Sequence, residues 1–83
     1  MPHYWNQGNG WTITKSYIDG KITVSKRDNE TVPFNLLDDD QNTYFDGFMS
    51  EALYDSAAIL DPLDGMSASY GCVTMKVLGE IIN

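Results

Sequence analysis

Apolar and polar positions alternate along residues 11–18. Trp11 and Ile13 share one phase with Lys15 and Tyr17, while Thr12, Thr14 and Ser16 take the other. A period of two with β-branched residues predicts a strand. Asp19-Gly20 then carries the signature of a two-residue type I′ turn. Residues 21–26 return with Ile22 and Val24 on one face, so a β-hairpin is predicted. Residues 31–37 predict a third strand. Pro33 has no N–H to give a ladder, so that strand is an edge there or begins after it. Residues 38–42 read as a loop. Residues 43–49 read as a fourth strand, with Gly47 marking a bulge.

The period changes after Met49. Ser50 is an N-cap candidate, and Glu51 puts a negative charge where the helix dipole favours it. Leu53, Ala57 and Leu60 fall at i, i+4 and i+7, with Tyr54 and Ala58 beside them, which predicts a short amphipathic helix over residues 50–60. Asp61-Pro62 is read as its end, because the residue before proline avoids the helical region. Residues 62–71 read as a loop or one further helical turn. Residues 72–78 predict a last strand, with Val73, Met75 and Val77 against Cys72, Thr74 and Lys76. Ile81 and Ile82 would extend it. Residues 1–10, rich in Asn and Gly, read as a flexible lead that Tyr4 and Trp5 can pin. The predicted fold is one small α+β domain over residues 1–83, with a four- to five-stranded, mainly antiparallel sheet and one short helix. Its expected core is Trp11, Ile13, Ile22, Val24, Phe34, Leu36, Phe45, Leu53, Ala57, Leu60, Val73, Met75 and Val77.

Charge changes the picture more than hydropathy does. The chain has 83 residues and a formal net charge of −7. Residues 1–27 hold Lys15, Lys21, Lys26 and Arg27 against Asp19, and residues 28–75 hold ten acids with no Lys or Arg. Eight of those acids fall within residues 38–64: Asp38, Asp39, Asp40, Asp46, Glu51, Asp55, Asp61 and Asp64. Tyr44 and Tyr54 are interleaved with them. Ordinary surfaces mix both signs. A one-signed surface repels itself, which a basic partner would relieve. These ten residues are therefore the expected partner-binding set. Trp5, Trp11, Tyr17 and Tyr70 are the alternative contact surface.

Few chemistries fit. One Cys and one His cannot make a zinc site, and Cys72 alone excludes an intramolecular disulfide; it reads as a small apolar strand residue. Asp38, Asp40 and Asn42 match positions 1, 3 and 5 of a calcium loop. The match stops at Thr43, where Gly is required, and at Met49, where a bidentate Glu is required. Asp38, Asp39 and Asp40 are expected to be solvated loop carboxylates with ordinary pKa values, unsuited to acid–base work. No nucleophile–base pair or phosphate loop is marked by spacing, so no catalytic residue, metal or cofactor is expected. The basic residues near Trp5, Trp11 and Tyr17 suit a single nucleic-acid strand, but the acidic half opposes direct binding. Residues 1–20 show no signal peptide, and no segment reaches the roughly 20 apolar residues of a membrane span. A cytoplasmic location without membrane contact is expected.

Small size, strong acidity, a compact α+β pattern and the lack of a catalytic constellation resemble the anti-CRISPR class of phage and mobile-element inhibitors, including those that mimic DNA. The run Phe34-Asn35-Leu36-Leu37-Asp38-Asp39-Asp40, followed by Tyr44-Phe45-Asp46-Gly47, is also similar to a core seen in small bacterial and plasmid proteins. The first resemblance implies a non-catalytic inhibitor in a bacterial cytoplasm. Its acidic surface would bind a basic, nucleic-acid-handling partner such as a CRISPR effector complex and block nucleic-acid access. The alternatives are an accessory protein–protein interaction module of a bacterial or plasmid complex and a calcium-binding domain.

Overall fold

A computed structural model describes residues 7–18, 20 and 25–83, apart from the side chains of 67–69. The elements are β1 (Gln7–Gly8), β2 (Trp11–Ser16), β3 (Glu30–Leu37), β4 (Thr43–Ser50), α1 (Glu51–Tyr54), α2 (Asp61–Tyr70), β5 (Thr74–Val77) and β6 (Glu80–Ile81). The strands form one antiparallel sheet in the order β1-β2-β4-β3-β5-β6. Among the described residues the sheet thus has six strands rather than four or five, and there are two helices rather than one.

The predicted strands at 11–18, 31–37 and 43–49 are present with small boundary shifts. The return strand at 21–26, with Ile22 and Val24, lies outside the described residues up to Val24, and Ser25 and Lys26 are not in a strand. Pro33 sits beside the end of β5. Its carbonyl accepts from the Leu78 amide at 3.0 Å. A strand residue's nitrogen and carbonyl point the same way, so the proline nitrogen faces the side that β5 has just left. No ladder bond is lost there.

One face of the sheet carries the core. Val32, Phe34 and Leu36 of β3 oppose Met49, Gly47 and Phe45 of β4, and Trp11 and Ile13 of β2 oppose Met49 and Gly47. Gly47 is required there: a Cβ would lie 2.5 Å from Phe34 Cζ and 2.5 Å from the Thr12 carbonyl. The expected bulge is opposite it, in β2, where the register shifts between Ile13 and Lys15. This shift overturns the expected alternation. Ser16 is buried opposite Phe45, and Lys15 is exposed opposite Asp46.

The helical prediction needs three corrections. Ser50 is an N-cap, accepting from the Leu53 amide at 3.1 Å, but α1 stops at Tyr54. Residues 55–60 are turns, so Ala57 is exposed and Leu60 half-buried. Asp61-Pro62 opens a helix instead of ending one, since proline is tolerated in a first turn where the N–H has no partner. Leu63 and Met66 of α2 enter the core. Gly71, at φ +73°, follows its last residue in the left-handed conformation that commonly terminates helices. Two further expectations fail in the C-terminal part. Val73 is 50% exposed while Cys72 is buried, because β5 begins only at Thr74. Residues 80–81 fold back on β5 through Leu78 and Gly79, both at positive φ, instead of extending it. Finally, Gln7 and Gly8 of the supposed flexible lead pair with Thr12 and Trp11.

Candidate functional site

The C-terminal ends of β2 and β3, the N-terminal ends of β4 and β5 and the end of α2 meet at one end of the sheet. Hydrogen bonds tie them together: the Tyr17 amide to the Tyr44 carbonyl at 2.8 Å, and the Val73 amide to the Leu37 carbonyl at 2.9 Å. The loop joining β3 to β4 is residues 38–42. A cleft of about 600 Å³ opens here, lined by Tyr17, Ile18, Asp38, Asn42, Thr43, Tyr44 and Tyr70.

Asp38 organises this loop. Its Oδ1 accepts from the amides of Asp40 at 2.9 Å and Asn42 at 2.8 Å, and its Oδ2 accepts from Asn42 Nδ2 at 3.2 Å. The side chain is buried. The Asn42 amide, ahead of the other donors, holds the Asp38 carboxyl below its ordinary range. The expectation of three equivalent, solvated carboxylates is therefore corrected for Asp38. Asp39 and Asp40 do remain exposed, and one carboxylate oxygen from each of the three lies within 4.8 Å of the others. The residues that match calcium-loop positions 3 and 5 donate to Asp38 through their amides.

The tyrosines differ in their partners. Tyr44 has its pKa raised, chiefly by the Asp38 charge. Tyr17 donates to Asp46 Oδ2 at 2.6 Å, and that bond raises the phenol's pKa. Asn35 Nδ2 donates to the other Asp46 oxygen at 2.6 Å. Lys15 Nζ stands 4.6 Å from the centre of the Tyr17 ring. Tyr70 packs edge-on against Phe45 with centroids 5.2 Å apart. Behind the cleft, burial and then the Asp38 charge push the Cys72 thiol up to about 11.

The structure brings together Asp38, Asp39, Asp40 and Tyr44 of the expected binding set, with Asp46 nearby through Tyr17. It does not bring the rest to them. Glu51, Tyr54 and Asp55 follow the far end of β4, and strand rise puts that end on the order of 20–25 Å away. Asp61 and Asp64 lie in the first turn of α2. Of the alternative aromatic set, Tyr17 and Tyr70 line the cleft, Trp11 is core, and Trp5 is outside the described residues. Charge reading alone missed Ile18, Asn42 and Thr43. The loop's own composition was the available signal for Asn42, because a short Asx-rich run folds on itself.

No helix among the described residues is long and apolar enough to cross a membrane. Comparison with protein-family models, curated proteins and solved structures gives no match, so the site is read from its own geometry.

Proposed function

We propose that this chain is a non-catalytic inhibitor domain. In this reading it docks on the basic surface of a nucleic-acid-handling protein of a bacterial cytoplasm, an anti-CRISPR-like role, and blocks nucleic-acid access. One observation carries the reading: exposed Asp39 and Asp40 stand beside a tyrosine-lined cleft, at the sheet end where Tyr17, Ile18 and Val73 are 48%, 50% and 50% exposed. Aromatic anchors within a polar rim are the usual make-up of a protein contact.

Electrostatics supports binding over catalysis. A general acid or base works best with a pKa near the operating pH. Here Asp38 is shifted down, and Tyr17, Tyr44 and Cys72 are shifted up, all away from neutrality. The accessory-module alternative rests on a different surface, the β5–β6 edge, where Leu78, Ile81 and Ile82 are exposed.

The test uses purified RNA-guided effector complexes. The full chain is added before target DNA, and DNA binding is measured against salt. The inhibitor reading expects loss of DNA binding with at least one effector, relieved as salt screens the contact. DNA binding unaffected across the panel, together with salt-insensitive self-association of the chain, would favour the edge-mediated module instead.

A further inference from the structure

We infer that the cleft lined by Tyr17, Tyr44, Tyr70 and Asp38 receives one arginine side chain of the partner. This rests on the protein-binding reading above and names the group the site recognises. The cleft of about 600 Å³ is open to solvent along much of its extent, so it suits one side chain laid against its rings rather than an enclosed ligand. Its described lining holds three phenol rings and one carboxylate, with no cation. Ring faces attract cations within about 6 Å of their centres. The chain already shows this at Tyr17, where the Lys15 ammonium takes up one ring face at 4.6 Å. A guanidinium entering the cleft must therefore use the other lining rings or the rest of the Tyr17 surface.

The choice of arginine over lysine follows from Asp38. Its oxygens already accept from the Asp40 amide and twice from Asn42. The carboxylate therefore contributes its field more than free acceptor positions. An ammonium is compact and strongly hydrated, and needs oxygen acceptors to replace its water. A guanidinium is planar and weakly hydrated, and stacks on aromatic faces. Asp39 and Asp40, exposed and next in the loop, can take the outward N–H groups. The Tyr17 and Tyr44 phenols stay neutral and Asp38 stays charged near neutral pH, given the directions of their shifts.

The experiment titrates the ¹⁵N-labelled full chain with a blocked Gly-Arg-Gly peptide, and separately with the Lys and citrulline peptides. Citrulline keeps the shape of arginine without its charge. The expected result is a saturable shift at the amides of Tyr17, Ile18, Thr43, Tyr44 and Gly71, with the Lys and citrulline peptides at least about fivefold weaker. Tyr17→Ala should weaken the Arg peptide by about threefold or more. Should that variant fail to fold, the parent's shift map and peptide ranking decide alone. No saturable shift, a map centred elsewhere, or citrulline binding as well as arginine would overturn the inference. Failure here is separable from failure of the wider reading. If the peptide is ignored while a DNA-displacing effector still loses affinity for the Asp39→Asn/Asp40→Asn variant, the arginine site falls and the inhibitor reading stands.

Discussion

Asp38 shows how far a single residue's role can depart from its type. Three consecutive aspartates look interchangeable, yet only the first has its carboxylate satisfied by the loop's own donors. Asp38→Asn removes the charge that those donors stabilise, and it should lower the melting temperature at pH 7. Asp39→Asn and Asp40→Asn should leave it unchanged. The sign with pH is fixed by the downward shift from the ordinary 3.8. A depressed folded pKa contributes stability that is complete above 3.8 and lost as pH falls through the lower folded value. The gap between parent and Asp38→Asn should therefore close below about pH 4, as thermal scans at a series of pH values would show. A gap that persists at low pH would mean that shape, not charge, makes the residue matter.

The elements were readable where periodicity was strong and unreadable where turn chemistry outweighed it. The strands at Phe34 and Phe45 stand out because their alternating residues face one core, while the strand at Trp11 keeps its register only as far as Ile13. Helix α2 is hard to see in the sequence because Asp61-Pro62 reads as the end of a helix when it opens one, and Gly71 at positive φ closes it. Ala57 was placed in the core by a spacing that the turn at residues 55–60 does not keep. Leu63→Ala and Met66→Ala should each cost about 2–5 kcal/mol, enough to unfold a domain this small, while Ala57→Ser should cost under about 0.5 kcal/mol by denaturant titration. Equal costs would restore the single longer helix. The β5–β6 turn was hidden for another reason. Its first central residue is Leu78 at φ +54°, where Asn or Gly is the usual choice. Leu78 is exposed, so Leu78→Asn removes backbone strain without opening the core. It should raise stability by about 0.5–1 kcal/mol, measured by the same titration. A loss of stability would mean that the exposed leucine packs against something that the turn geometry does not reveal.

At the scale of the whole molecule, charge asymmetry pointed to a region and the fold divides that region. Residues 38–64 begin at one end of the sheet, run the length of β4 and reach only the first turn of α2. Their acids therefore cannot converge on one flat patch. Composition alone could not show this, because it holds no information on which end of a strand an acid occupies. The tyrosines selected the end: Tyr17 and Tyr70 are far apart in sequence and are neighbours only once the sheet and α2 are assembled. The most direct measurement is the association rate of a DNA-displacing effector with two charge-matched variants, Asp39→Asn/Asp40→Asn and Glu51→Gln/Asp55→Asn, followed from low to high salt. If docking occurs at the cleft, the first variant associates at least about tenfold more slowly at low salt, and the deficit shrinks as salt rises, while the second tracks the parent to within about twofold. Equal slowing by both pairs, or slowing by the second alone, would contradict docking at this end of the sheet.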